Sequence, residues 1–93
     1  MSFGEYIRSL RESRKLYLRQ VAAQLNIDTA MMSKIERGER KAKREQLPIL
    51  AVLLNVEESK LKVEWLADRV VEILKNEDDI SQVLNCAKKS LTH

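Results

Sequence analysis

The sequence predicts an all-α fold, a five-helix unit followed by an extended C-terminal helical segment. Three observations carry this expectation. Apolar residues recur at i, i+3, i+4 and i+7 in one segment after another. The 93 residues include only two glycines, one proline and 4% aromatics, too few turn and strand formers for an all-β chain. Charged residues make up 33% and apolar residues 44%, the balance of a folded globular chain. Such a chain buries only about 60–65% of its unfolded surface, so one domain with a small core is expected and a deep enzymatic pocket is not.

The first helix starts at Phe3. Phe3, Tyr6, Ile7 and Leu10 form its inner face, with Arg8, Arg11 and Arg14 away from it. Ser2 and Glu5 have the spacing of a capping box. Arg14–Tyr17 reads as a connection. Leu18, Val21, Ala22 and Leu25 form a second, short helical face, which Asn26 can end because asparagine tolerates the left-handed region. Ile27 is an apolar pin. Asp28 or Thr29 can cap a third helix with Met32 and Ile35 inward, and Gly38 ends it.

A charged loop, Glu39–Lys43, leads to a fourth helix expected near Arg44 or Glu45. Leu47, Leu50, Ala51 and Leu54 face inward, Pro48 sits in the first turn, and Asn55 and Val56 end it. From about Glu57 to Lys75 a longer helix carries Leu61, Trp65, Leu66, Val70, Ile73 and Leu74, widened by Val63 and Val71. A band that wide suggests a helix covered on two sides. Asn76–Asp79 breaks it, and a last helix follows with Ile80, Val83, Leu84, Ala87 and Leu91 on one face. Residues 1–56 and 57–93 are therefore read as two parts of one compact unit.

The net charge of +3 hides an uneven distribution. Residues 1–44 carry eleven basic and five acidic side chains, and residues 45–93 carry six and nine. A basic half suits a polyanion and an acidic half suits something else. Met1–Glu5 is neither basic nor apolar, and no apolar run approaches the roughly 20 residues of a membrane span, so a cytoplasmic location is expected. Cys86 is the sole cysteine and reads as a helix thiol rather than a redox sensor. It excludes an internal disulfide and a Cys-pair zinc site. His93, the last residue, is expected to be frayed. No metal or cofactor is expected. No Ser/His/Asp set, paired carboxylates or Gly-rich phosphate loop points to an enzyme.

Leu18 to Gly38 meets the demands of two short helices joined by a tight turn. Ala22 is small where the helices cross, Asn26 suits the turn, and Val21, Leu25, Ile27, Met32 and Ile35 pin the pair. Thr29, Ala30, Met31, Ser33 and Lys34 remain outside. A helix of about 9 residues is roughly 13 Å long and fits a DNA major groove.

With those residues in place, the segment from Leu18 to Gly38 resembles the helix-turn-helix of the lambda-repressor-like Xre/Cro family. The ending Ser33-Lys34-Ile35-Glu36-Arg37-Gly38 is its most recognisable part. The likeness covers roughly residues 3–56. It implies a bacterial or phage transcription factor that binds double-stranded DNA as a homodimer, with residues 28–37 as the recognition helix. Two departures stand out. Leu18 replaces the Gln that contacts phosphate in many members, so that role is not carried over. Asn26 replaces a more usual Gly.

The resemblance implies that Thr29, Ala30 and Lys34 face base edges. Lys34 can donate to guanine O6 and N7, Thr29 can bond a base edge or phosphate, and Ala30 can touch a thymine methyl. Ser33 faces the same side and suits base or phosphate. Met31 is open between packing on DNA and simple exposure. Arg37, Arg40, Lys41, Lys43 and Arg44, with Arg19 as a weaker candidate, are expected to meet phosphates through counterion release. Glu36 is expected to orient a basic group, Arg40 or a neighbour.

The last two helices suggest dimerisation. Trp65, Val70, Ile73 and Leu74, with Val83 and Leu84 of the last helix, are expected to divide between core and dimer interface. A last helix folded back on its own subunit is the other reading. The function expected is a sequence-specific regulator on a palindromic operator. The alternative is an antitoxin or a restriction–modification controller-type autoregulator, with a protein partner (a toxin in the first case) on the C-terminal half.

Overall fold

Ser2 opens the chain's first helix through a closed capping box. Its Oγ accepts from the Glu5 N–H at 3.1 Å, and the Glu5 carboxylate accepts from the Ser2 N–H at 2.9 Å. In the computed structural model, which describes residues 1–92, this helix is α1 (Phe3–Ser13). It is followed by α2 (Leu18–Gln24), α3 (Thr29–Glu36), α4 (Leu47–Leu54), α5 (Glu58–Leu74) and α6 (Ile80–Thr92). The described residues include no strand. The frayed end expected at His93 lies outside them.

Four helix ends share one device. At α1, α2, α3 and α4 the chain turns into the left-handed region at Lys15, Asn26, Gly38 and Asn55, with φ of 58°, 58°, 80° and 55°. Each of these residues and the one after it donate back to the last turn. Gly38 N–H bonds Ile35 C=O at 3.1 Å, for example, and Glu39 N–H bonds Lys34 C=O at 2.9 Å. The sequence signals at Asn26, Gly38 and Asn55 were sound. Lys15 gave none, because a β-carbon-bearing lysine disfavours this conformation by roughly 1 kcal/mol. The fourth helix starts later than expected: Arg44–Gln46 forms a 3-10 turn, and α4 begins at Leu47 with Pro48 in its first turn.

The core lies among α1 to α4 and the first half of α5. Ile7, Val21, Met32, Leu47, Leu50 and Leu61 are its largest fully buried side chains. Leu61 and Trp65 of α5 belong to the same cluster as Phe3, Ala22 and Ile35. The first turns of α1 also rest on α5, since the Phe3 N–H donates to the Asp68 carboxylate at 3.2 Å.

Gly4 sets the approach of α1 to α3. A β-carbon there would lie 2.4 Å from the carbonyl oxygens of Ile35 and Glu36, both backbone atoms that cannot swing aside. A glycine inside a helical pattern is itself a signal of close approach. It is the price in helix propensity for seating the C-terminus of α3 on α1.

Beyond Trp65 the chain leaves the core. The radius of gyration is 14.9 Å, against about 12 Å for a compact chain of this length. No residue of α6 is buried. The apolar band of α5 is covered on one side by its own chain. Val63, Leu66, Val70, Val71 and Ile73 are exposed, and beyond Trp65 only Leu74, 8% exposed and the last residue of α5, is buried.

Replacing Gly4 by alanine is expected to destabilise the fold by about 1–3 kcal/mol in urea unfolding, despite alanine's higher helix propensity. A neutral or stabilising result would mean the α1–α3 contact relaxes without loss.

Candidate nucleic-acid interface

The second short helix, α3, is held from both ends. At its start Asp28 caps it, accepting from the Met31 N–H at 2.7 Å. Between α2 and α3 the turn places Asn26 left-handed and Ala22 under the crossing, 2% exposed. At its end Glu36 is buried and bonded to Arg11 of α1 by a two-pronged ion pair, Nε to Oε2 at 2.8 Å and Nη2 to Oε1 at 3.1 Å. The third prong of Arg11, Nη1, donates to Leu16 C=O at 2.8 Å. One guanidinium therefore fixes α1, the connection to α2 and the end of α3.

This corrects two expectations. Glu36 does orient an arginine, but the partner is Arg11 and not Arg40. Arg11 is not an outward side chain: it is 13% exposed where Glu36 is 6%. Arg11 follows Ile7 by four residues, and its long stem lets the charged head reach back to a buried carboxylate.

The remaining face of α3 is open. Thr29, Ala30 and Lys34 are exposed and Ser33 is half-buried. The Ser33 hydroxyl accepts from Arg37 Nη1 at 2.7 Å. Arg37 also pairs with Glu39, Nε to Oε2 at 2.7 Å and Nη2 to Oε1 at 3.3 Å. The Arg37 guanidinium holds the Glu39 carboxyl below the usual carboxylate range. Met31 is not simply exposed: it is half-buried and packed against the core.

The loop after α3 brings the expected cations together. Arg37, Arg40, Lys41, Lys43 and Arg44 are all exposed within eight residues. Ala42, in their midst, is buried, and its C=O accepts from Trp65 Nε1 at 2.8 Å. The Lys43 N–H donates to Gln46 Oε1 at 2.8 Å. Arg44 lies 5.1 Å from the Trp65 ring centre and Arg69 lies 4.2 Å from it. Lys41 pairs with Glu72 of α5. Among the described residues, Arg40 and Lys43 take part in no ion pair. Arg19, at the start of α2, stacks 4.5 Å from the Tyr17 ring centre.

Of the residues expected at an interface between subunits, Trp65 falls inside the core of its own chain, 6% exposed, as the anchor of the basic loop. Leu74 is buried too. Val70, Ile73, Val83 and Leu84 are exposed. Sequence reasoning missed Gly4, Arg11, Asp68 and Glu72. Of these, Gly4 alone left a signal, as a glycine inside a helix. The other three are ordinary helix-surface residue types whose partners lie 5 to 65 positions away.

A crossed pair of short helices, the second polar and open beside a basic loop, defines a helix-turn-helix domain. A family model described as a helix-turn-helix domain matches residues 2–63, and the chain belongs to that family. Over 39 residues it is 49% identical to the HTH-type transcriptional repressor RghR of Bacillus subtilis (strain 168). That stretch takes in 42% of this chain and 29% of the relative, so the chain matches less than a third of it. Among solved structures it is similar to the clp gene regulator ClgR from C. glutamicum, with TM-score 0.58 and 23% identity over 70% of this chain and 84% of that one. At that identity the likeness is one of fold. No helix of the described residues is long and apolar enough to cross a membrane.

Removing either partner of the buried pair leaves the other charge unpaired. Glu36→Ala or Arg11→Met is expected to lower stability by about 3 kcal/mol in urea unfolding. The double variant Arg11→Met/Glu36→Leu should recover a large part of that loss. If the losses of the two single variants simply add, the pair is not coupled.

Proposed function

We propose that the chain is a sequence-specific DNA-binding transcriptional regulator that binds a palindromic operator as a homodimer, without catalysis and without a cofactor. The observation that carries this reading is the open face of α3, set beside five exposed cations within eight residues. In this reading α3 enters the major groove. Lys34 donates to guanine O6 and N7, Thr29 and Ser33 bond base edges, and Ala30 touches a thymine methyl. Arg19, Arg37, Arg40, Lys41, Lys43 and Arg44 meet phosphates and fix the register without reading sequence. Regulation is steric, by occupation of the operator.

The homodimer rests on the exposed apolar face of α5 and α6. Val70, Ile73, Val83, Leu84 and Leu91 are between 42% and 85% exposed and line one groove. A solitary monomer rarely leaves such a contiguous patch in water. A second copy covering it would set two recognition helices about 34 Å apart on one face of the duplex. The same surface on the acidic half suits a different protein, the antitoxin or controller reading, and that is the rival outcome.

Selection from a randomised duplex pool at about 150 mM salt tests the reading, since weak non-specific contacts fall away there. An enriched palindrome with half-sites about one helical turn apart is expected. No enrichment would overturn it and direct attention to a protein partner. Six phosphate contacts per subunit, about twelve per dimer, should give a log–log salt slope near −11. Lys34→Ala should relax base preference at one position of each half-site, whereas Arg40→Ala should weaken all sequences alike and flatten the slope by about 2 for two subunits. Equal losses with unchanged preference in both variants would overturn this division of roles.

Light scattering tests the dimer. The wild-type mass should be twice that of one chain, and Ile73→Lys or Leu84→Lys should halve it while leaving the helix content intact. A monomeric wild type would remove the basis for a palindromic site.

A further inference from the structure

Trp65, Asp68, Arg69 and Glu72 follow one another at helical spacing and share a face of α5. Three of them meet the N-terminal unit or its basic loop, and Arg69 packs on one of the three. Trp65 holds the Ala42 carbonyl, Asp68 takes the Phe3 N–H, Arg69 stacks on Trp65, and Glu72 pairs with Lys41. Trp65 and Asp68 act at atoms that DNA would not touch. Glu72 differs, because its partner is one of the cations that the reading above assigns to phosphate.

We propose that the Glu72 carboxylate is an internal stand-in for DNA phosphate: it holds Lys41 in the free protein and must be displaced before Lys41 can meet the DNA backbone. Glu72 thereby lowers affinity for duplex DNA of any sequence. The proposal rests on the DNA-binding reading.

Three observations support competition over positioning. The pair is open to water, with Lys41 45% and Glu72 52% exposed, so an incoming phosphate can exchange with the carboxylate without opening the core. The loop does not need Glu72 to hold its shape, because the Gly38 and Glu39 N–H bonds to α3 fix it before Lys41, and buried Ala42, the Trp65 N–H and the Lys43–Gln46 bond fix it after. Lys41 holds the Glu72 carboxyl below the usual carboxylate range, so the competitor is fully charged at neutral pH. A carboxylate and a phosphate oxygen offer an ammonium group the same kind of charge-assisted bond, and although the ammonium has three donors, two anions held on it together repel each other. Non-specific DNA binding is almost wholly electrostatic, so it is the component such a competitor restrains most directly.

The test is fluorescence anisotropy on a duplex of scrambled sequence at fixed salt, with wild type, Glu72→Gln, Glu77→Gln, Lys41→Ala and Lys41→Ala/Glu72→Gln. Glu77→Gln removes the same charge from the exposed connection after α5 and controls for net charge. Glu72→Gln is expected to bind roughly two- to fivefold more tightly per subunit than Glu77→Gln, the range of an exposed ion pair. In the Lys41→Ala background the Glu72→Gln gain should disappear.

Three results would overturn the proposal: a Glu72→Gln affinity equal to that of Glu77→Gln, a loss of affinity (which would make Glu72 a positioning residue for Lys41), or an undiminished gain without Lys41. Failure of the wild type to bind any duplex at low salt would overturn the DNA-binding reading itself. That outcome is distinct from binding by wild type that Glu72 does not modulate. Circular dichroism melts of the variants verify that the surface substitutions leave the fold intact.

Discussion

The helix-turn-helix geometry hangs on one guanidinium. Arg11 spends two donors on the buried Glu36 carboxylate and a third on the Leu16 carbonyl. Those three bonds join the helix before the motif, the connection into it and the end of the helix that faces outward. An arginine is required by shape as well as charge. Its planar fork matches a carboxylate in two places and still reaches a backbone oxygen, which a lysine ammonium cannot do in one plane. Gly4 lets the same two helices touch at backbone distance. The open face of α3 inherits its position from this arrangement. It has almost no inward side chains of its own beyond Met32, Ile35 and Glu36.

A second centre, Trp65, does for the basic loop what Arg11 does for the helix. Its indole N–H fixes the Ala42 carbonyl, its ring carries both Arg44 and Arg69, and its body fills the core. A loop of five cations would otherwise repel itself and spread into water. Here its one small apolar residue is buried, and two of its charges are engaged, Arg37 by Glu39 and Lys41 by Glu72. The arrangement leaves Arg40 and Lys43 outward. The first half of α5 is therefore part of the interface-bearing unit, while its second half and α6 are something else.

What the sequence made legible follows from the range of the physics. Helix periods, caps and left-handed stops act over three to five residues, and Ser2, Asn26, Asp28, Gly38 and Asn55 could all be read from a short window. The all-α fold and the outward residues of α3 followed from the same local rules. What escaped depends on partners far along the chain. Nothing near Arg11 announces Glu36, and nothing near Glu72 announces Lys41. Lys15 escaped for the opposite reason: its neighbours impose a conformation that its own type disfavours. Met31 lies half-buried because it sits at the border of the inner face, where the packing of neighbouring elements decides whether a flexible side chain turns in.

The second half of the chain poses a stability problem that its first half does not. A helix of 13 residues that buries nothing is close to the length at which helices become marginal in water. α6 nevertheless sorts its apolar residues onto one face, opposite its polar ones, and that face meets the exposed apolar residues of α5 across one groove. Amphipathic sorting without an internal partner is hard to reconcile with a helix meant for solvent, since random surface helices need no such face. Covering that face from outside would stabilise α6 and α5 together. The energy would be delivered to the same helix that, one turn earlier, holds the basic loop through Glu72 and Trp65. Assembly and polyanion binding would then share one rigid element, so that whatever covers the apolar face also stiffens the support beneath the cations.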